Sequence, residues 1–130
     1  KNMIATAAGK KIYPEEVDIH LGNCPYVLEI VVTGARDARS GREEVHAHIF
    51  PDFKALGDLA RSQGAAFDEA FVEKALRREV EARCQMLAPY KRVKRIVVRR
   101  EEFPKTTTGK IRRQAFSAES AEKRTASAVA

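Results

Sequence analysis

The residues best suited to chemistry lie in one short segment, PKTTTGK, which runs from Pro104 to Lys110. Its threonines, glycine and final lysine form a hydroxyl-rich loop that carries one ammonium group, which suits contact with phosphate oxygens or a carboxylate. A phosphate-binding P-loop needs glycine where Pro104 stands and serine or threonine where Ile111 stands, so the segment is not a P-loop. A solvated basic turn is the alternative, and spacing alone favours it.

Two histidines form the next candidate. His46 and His48 are two residues apart, so a strand would point both side chains to one face. A metal site needs a third ligand, which is missing nearby, and His20 lies on a different element. We therefore predict no metal site and interpret the pair as polar surface.

Nucleophilic catalysis finds no support in the sequence. Cys24 and Cys84 stand far apart, with no CxxC pair and no Gly-x-Ser-x-Gly motif. We expect both thiols to be free and buried. Glu15, Glu16 and Asp18 crowd the start of a predicted helix, where the helix dipole explains them without acid–base chemistry.

The elements that would position these residues begin with a hairpin. Met3–Thr6 and Lys11–Tyr13 are half-apolar runs around a glycine-containing loop. Pro14 and Gly22 then suit the start and the end of a helix.

Two strands and two helices follow. Tyr26–Thr33 and Glu43–Phe50 have the composition of strands, joined by an exposed loop over Gly34–Arg42. Asp52 can cap a short helix that ends near Gly64, and Asp68 can cap a longer one that continues to Pro89.

Val93–Val98 is predicted to be a third strand and an inner member of the sheet. Pro104–Arg113 is expected to be a loop that leads into a short helix near Gln114–Lys123. The pattern indicates an α+β fold, with an N-terminal β-hairpin and a mainly three-stranded sheet packed against helices. We expect the domain to cover residues 1–116, and residues 117–130 to form a helix end and flexible tail.

Composition agrees with one small domain. The chain has 130 residues and 14.5 kDa, with 44% hydrophobic and 32% charged residues, which is enough to bury a core. No window approaches the roughly 18 apolar residues of a membrane-spanning helix, and the start lacks the pattern of a signal peptide. We therefore expect a cytoplasmic protein with no transmembrane segment.

The net charge of +6 is concentrated in one segment. Lys91–Arg113 carries ten basic residues against two acidic ones, a net charge of +8, while the rest of the chain carries −2. Such a segment could meet nucleic acid, an anionic membrane, an acidic protein or a phosphate-bearing small molecule. Its first part, Lys91–Arg100, lacks interleaved aromatic residues apart from Tyr90 at its edge. Nucleic acid is therefore an unpromising partner, because single-strand binding relies on stacking.

Two stretches together resemble a known family. KNMIATAAGKKIYPEEVD at Lys1–Asp18 and YKRVKRIVVRREEFPKTTTGKIRR at Tyr90–Arg113 are similar to the C-terminal domain of adenylate-forming acyl-CoA synthetases. The first residues, KNMI, and the segment GKKIYPEEV are most similar to the fatty acyl-CoA ligase branch of this family. The resemblance implies an enzyme that uses ATP, with Mg, to convert a fatty acid to an acyl-adenylate, and then transfers the acyl group to coenzyme A.

By that likeness, Lys110 matches the lysine that catalyses adenylation, and Thr106, Thr107, Thr108 and Gly109 would position its loop. Lys1 matches the hinge between the two domains. Gly9 matches the residue beside the pantetheine tunnel, and Lys10 and Lys11 would meet phosphates of coenzyme A.

The resemblance also implies that a large N-terminal domain, which would hold the nucleotide and acyl pockets, is missing here. The chain is then expected to be inactive alone, with that domain as its partner. An acyl carrier protein could replace coenzyme A as acceptor. A free-standing basic module that binds nucleic acid or anionic protein is the alternative from a different class.

Overall fold

The computed structural model describes residues 3–5, 9–36, 38–39, 41 and 43–105. The chain divides into two units, Lys1–Arg100 and Glu101–Ala130. The helices and strands of the described residues belong to the first unit. In chain order they are β1 (Ile4–Ala5), β2 (Lys11–Ile12), α1 (Pro14–Leu21), β3 (Val27–Arg36), β4 (Glu43–Pro51), α2 (Phe53–Gln63), α3 (Glu69–Cys84), a 3₁₀ turn (Pro89–Lys91) and β5 (Val93–Val98).

The described strands form two sheets. β1 and β2 pair as an antiparallel hairpin, and the larger sheet has the order β3-β4-β5. β3 and β4 are antiparallel, whereas β5 runs parallel to β4 after the crossover through α2 and α3. The predicted α+β fold with a hairpin and a three-stranded sheet is confirmed. The prediction that the last strand is an inner member is wrong, because β4 occupies the centre.

Local capping determines where the helices begin. The carboxylate of Asp52 accepts a hydrogen bond from the Ala55 amide at 3.0 Å, and that of Asp68 accepts one from the Phe71 amide at 2.8 Å. Each bond satisfies an amide of the first helical turn that has no partner inside its helix. Gly64 ends α2 in the left-handed conformation, with φ of 64°, which glycine adopts without steric cost.

The observed ends of two elements differ from the sequence prediction. β3 continues to Arg36, and Ala35 within it is buried, so the supposed exposed loop begins three residues later than expected. α3 ends at Cys84 rather than near Pro89, and a separate 3₁₀ turn contains the proline. The guanidinium of Arg92 bonds to the carbonyl oxygen of Cys84, the last residue of α3, and to that of Leu87 just after it, which stabilises this early stop.

The core lies between the sheet and the helices. α3 contributes Val72, Leu76 and Val80, spaced four residues apart on one face. From the sheet, Val45, Ala47 and Ile49 of β4 are also buried. Burial of this apolar surface supplies the main favourable free energy of folding.

Two hydrogen bonds fix α1 against its neighbours. The Val32 amide of β3 donates to Oδ1 of Asp18 at 2.7 Å, so the helix satisfies a backbone group of that strand. Nε2 of His20 lies 2.9 Å from the carbonyl oxygen of Arg83 at the end of α3. The segment that follows the hairpin is thereby attached to both the sheet and the long helix.

Candidate functional site

The hairpin turn has a backbone conformation that glycine favours. Ile4 pairs with Ile12 and Ala5 with Lys11, which leaves Gly9 in the connection between the strands. Gly9 has φ of +79°, and a Cβ built there meets nothing within 4 Å in the described part of the chain. Backbone conformation, rather than crowding inside this chain, therefore favours glycine at this position. Gly9, Lys10 and Lys11 are all exposed.

The base of the hairpin is fixed to the larger sheet. A Cβ on Gly34 of β3 would lie 2.6 Å from Cγ1 of Ile4 and within 3.2 Å of two further atoms of that side chain. Ile4 therefore occupies space that any residue larger than glycine would need. The Ala5 amide donates to Oε1 of Glu43 at 3.1 Å, which adds a polar contact beside the apolar one.

The turn of the hairpin has a different anchor, the ring of Tyr90. Nζ of Lys10 lies 5.6 Å from the ring centroid, and Nζ of Lys91 lies 5.8 Å from it. Both distances are within the range of cation–π attraction, about 6 Å. Tyr90 belongs to the 3₁₀ turn, so this ring brings the two separated motifs of the sequence into contact.

Lys91 extends this cluster to the first turn of α1. Its ammonium lies 3.5 Å from Oε2 of Glu16, and the two side chains are 28% and 59% exposed. A surface ion pair of this kind contributes about 0–1 kcal/mol. The carboxylate partly balances the positive charge of two lysines that share one aromatic ring. We refer to Lys10, Glu16, Tyr90 and Lys91 as the Tyr90 cluster.

Much of the basic segment is engaged in structural contacts. The Nε atom of Arg92 donates to the carbonyl oxygens of Cys84 at 3.0 Å and Leu87 at 3.1 Å. Nη2 of Arg100 lies 2.6 Å from Oε1 of Glu69. Lys94 and Arg95 on β5, in contrast, are exposed. The charge available to a partner is therefore smaller than the sequence count of +8.

In the second unit, the side chain of Lys105 makes two local hydrogen bonds. The ammonium of Lys105 donates to Oε1 of Glu102 at 3.0 Å and to the carbonyl oxygen of Phe103 at 3.3 Å. These bonds lie just before the threonine-rich segment of the sequence.

The interpretation of the histidine pair as polar surface is wrong. His46 and His48 are buried, at 6% and 2% exposure, because the face of β4 opposite Val45, Ala47 and Ile49 is covered as well. Nε2 of His48 lies 2.9 Å from Oγ1 of Thr33, and Nε2 of His46 lies 3.2 Å from Oε1 of Glu44. Among the described residues, no group of three or more His, Cys, Asp or Glu could hold a metal ion.

Both cysteines are free and buried, as predicted. Burial raises the pKa of Cys24 from 9.0 to about 11, because an apolar environment disfavours the thiolate; Glu79 and Cys84 also raise this pKa, and Arg83 lowers it. A thiol with a raised pKa is a poor nucleophile at neutral pH. Cys24 is therefore part of the core rather than a reactive group.

Six of the predicted site residues lie outside the described residues: Lys110, Thr106, Thr107, Thr108, Gly109 and Lys1. The structure describes the three hairpin residues and adds three that the sequence did not assign to a site, Glu16, Tyr90 and Lys91. The available signal was a tyrosine directly before the basic run, just after a proline that ends a helical pattern. None of the helices in the described part of the chain is long and apolar enough to cross a membrane.

The fold and this surface define a small α+β domain that presents a glycine turn and lysines on an exposed hairpin. Comparison with known families identifies it further. The family described as AMP-binding enzyme C-terminal domain matches residues 16–110. The chain belongs to this family, and the resemblance noted in the sequence is confirmed.

Individual relatives include a CoA ligase and a fatty acyl CoA synthetase. The chain is 31% identical over 105 residues to 2-succinylbenzoate–CoA ligase, chloroplastic/peroxisomal, of Arabidopsis thaliana, a match that covers 81% of this chain and 18% of the relative. The structure of a fatty acyl CoA synthetase from Mycobacterium tuberculosis is similar with a TM-score of 0.64 and 25% identity, over 91% of this chain and 19% of that one.

A carboxylic acid reductase didomain from Segniliparus rugosus, solved in complex with AMP, has a TM-score of 0.77 at 21% identity and covers 97% of this chain and 17% of that one. This similarity shows the fold. In each of these comparisons, the chain spans less than a fifth of the length of the relative.

Proposed function

We propose that this chain is the C-terminal domain of an ATP-dependent acyl-CoA synthetase. The substrates are a fatty acid, ATP with Mg, and coenzyme A. The carboxylate attacks the α-phosphorus of ATP and displaces pyrophosphate, and the thiol of coenzyme A then attacks the acyl carbonyl and displaces AMP. The observation that supports this proposal best is the family match, which spans both the α1 region and the loop up to Lys110.

In this proposal, Lys110 serves the first step. The carboxylate and the α-phosphate are both anions, and an ammonium between them offsets their repulsion and stabilises the transition state. Thr106, Thr107, Thr108 and Gly109 position the loop, and Lys1 acts as the hinge about which the domain turns between the two steps. The large N-terminal domain supplies the pockets for ATP and the acid, so the isolated chain is inactive.

The hairpin serves the second step. Gly9 faces the pantetheine arm of coenzyme A, and Lys10 and Lys11 contact its phosphates. The exposed turn and its positive φ support this role, since an exposed glycine turn lets another molecule approach the backbone closely. The relatives that are CoA ligases support coenzyme A as the acceptor. A fatty acid as substrate rests on the sequence similarity to the fatty acyl-CoA ligase branch.

A stand-alone nucleic-acid module is disfavoured by the contacts of the basic segment. Arg92 is hydrogen-bonded to helix-end carbonyls, and Lys91 and Arg100 pair with carboxylates. Phosphate binding at these three residues would have to displace these partners, which leaves Lys94 and Arg95 as the exposed cations of β5.

Two variants of the full-length enzyme test the proposal by affecting opposite steps. Lys110→Ala is expected to slow pyrophosphate release by about 10²–10³-fold, because one preorganised charge is lost from the transition state. Thioester formation from supplied acyl-adenylate should stay within a few-fold of wild type. Gly9→Ala is expected to show the reverse pattern, slowing only the thioester step.

Lys94→Ala is the matched control, since Lys94 is an exposed lysine of the same basic segment. It should leave both steps unchanged. The proposal is wrong if the full-length enzyme makes no acyl-adenylate, if the 130-residue chain alone releases pyrophosphate, or if Lys110→Ala impairs both steps equally. Assays with coenzyme A and with an acyl carrier protein then identify the acceptor.

A further inference from the structure

The hairpin turn depends on a contact far away in the sequence. At the base of the hairpin, Ile4 packs on Gly34 and the Ala5 amide bonds to Glu43. At its other end, Lys10 directly follows Gly9, and its ammonium lies over the Tyr90 ring. A two-residue strand on each side adds little stiffness of its own. The position of the turn is therefore sensitive to the contact between Lys10 and Tyr90.

Tyr90 itself is held firmly. Its 3₁₀ turn is closed by a hydrogen bond of 2.8 Å from the Lys91 amide to the Ala88 carbonyl. The next residue, Arg92, bonds to carbonyls at the end of α3, and Lys91 pairs with Glu16 of α1. The backbone that carries the ring is thus attached to α1 and to the end of α3. The Tyr90 residue is 37% exposed, so the ring lies at the surface beside the hairpin.

We propose that Tyr90 is a positioning residue for the thioester-forming step: its ring holds the Lys10 ammonium, and thereby the Gly9 turn, in the orientation that receives the acceptor thiol and its phosphates. This role rests on the proposed function of the hairpin. Tyr90 does not touch the reacting atoms, and it acts through Lys10. The electron-rich face of the ring, rather than the phenol hydroxyl, provides the attraction.

Two variants of Tyr90 distinguish the contribution of the aromatic ring from that of the phenol hydroxyl. In the full-length enzyme, Tyr90→Leu is expected to raise the KM for coenzyme A about threefold in the thioester step, since an exposed cation–π contact is worth only a small factor. Its kcat and the rate of adenylation should remain within twofold of wild type. Tyr90→Phe keeps the aromatic face and should retain the wild-type KM.

A double-mutant cycle tests whether Tyr90 acts through Lys10. Once Lys10→Met has removed the ammonium, the further change Tyr90→Leu should have no additional effect on KM, because the two residues contribute one shared interaction. Fully additive effects of the two changes would overturn the proposal. So would equal effects of Tyr90→Leu and Tyr90→Phe, or equal losses in both steps.

The contact between Lys10 and Tyr90 can also be detected by a method that does not depend on enzyme activity. In NMR spectra of the 130-residue chain, the ε-methylene protons of Lys10 should be shifted upfield by the aromatic ring, in wild type and in Tyr90→Phe but not in Tyr90→Leu. Shifts in wild type equal to those in Tyr90→Leu would refute the positioning role even in an active enzyme. If this shift is present but the full-length enzyme forms no acyl-adenylate, the proposed function fails, and the positioning role for this step fails with it.

Discussion

The hairpin and the three-stranded sheet are both built from paired strands, but they are stabilised in different ways. In the sheet, β3 and β4 are ten and nine residues long, and the central strand is buried on both faces. In the hairpin, each strand has two residues. One residue of each strand is buried, Ile4 in β1 and Ile12 in β2. The strands of the sheet supply much of the core of the domain, whereas the hairpin contributes one side chain from each strand, Ile4 and Ile12, to that same core. The difference teaches that the exposed turn of the hairpin has fewer stabilising contacts than the strands of the sheet, although the hairpin strands themselves are anchored by buried side chains.

The largest expected effect is a loss of stability, and it tests which side chains form the core. Leu76→Ala removes a fully buried side chain from the middle of α3, and we expect the free energy of unfolding to fall by about 2–5 kcal/mol because a cavity remains. Denaturant unfolding measures the loss. Ile19→Ala, at a position 79% exposed on α1, is the control and should change stability by less than about 0.5 kcal/mol. Equal losses in the two variants would contradict the assignment of the core.

The second effect concerns the contact between the hairpin and the three-stranded sheet. Gly34→Ala places a methyl group 2.6 Å from Ile4, and overpacking of this kind costs about 1–3 kcal/mol. Ile4→Ala alone also costs stability, because Ile4 is buried in the core. The double variant should lose less than the sum of the two single losses, since the clash disappears. Urea unfolding of the single and double variants measures the coupling.

Gly22→Ala is the matched glycine control for the change at Gly34. Its φ is −63°, and the nearest atoms to an added Cβ are at 3.4 and 3.5 Å, an ordinary contact distance. This change should be neutral or slightly stabilising. If Gly34→Ala were equally harmless, the hairpin would not dock as described.

The smallest effect is a pH dependence that originates in the core. The folded state raises the pKa of Cys24 from 9.0 to about 11. Above pH 9 the unfolded chain ionises this thiol while the folded chain keeps the proton, so stability is lost as pH rises from 9 to about 11. Below pH 9 the contribution is fully present.

Cys24→Ala should therefore show a shallower fall in the free energy of unfolding over this range than wild type. Unfolding curves at pH 8, 9 and 10 measure the two slopes, and the other titrating groups cancel in the difference between the variants. Parallel slopes would mean that the Cys24 thiol ionises equally easily in the folded and unfolded states.

Features set by neighbouring residues could be predicted from the sequence. Asp52 and Asp68 cap the helices they precede, because a capping side chain bonds to an amide only three residues ahead. The glycine-containing turn of the hairpin is equally local. The family itself could be identified because both of its motifs are present in this chain.

Features that join distant residues could not be predicted in the same way. Nothing in Val93–Val98 specifies a strand parallel to β4 at the side of the sheet, since that direction follows from the crossover through two helices. The burial of His46 and His48 depends on what covers the second face of β4. The approach of Lys10 to Tyr90 arises only when the hairpin and the 3₁₀ turn meet in the fold.

The Arg92 guanidinium has one further consequence. It joins the carbonyl oxygens of Cys84 and Leu87 to the backbone two residues after Tyr90. Fraying of the last turn of α3 would release the bond to Cys84, one of the contacts that hold the backbone beside the aromatic ring. We therefore expect a ligand that favours the ordered ring to protect the end of α3 from local unfolding as well.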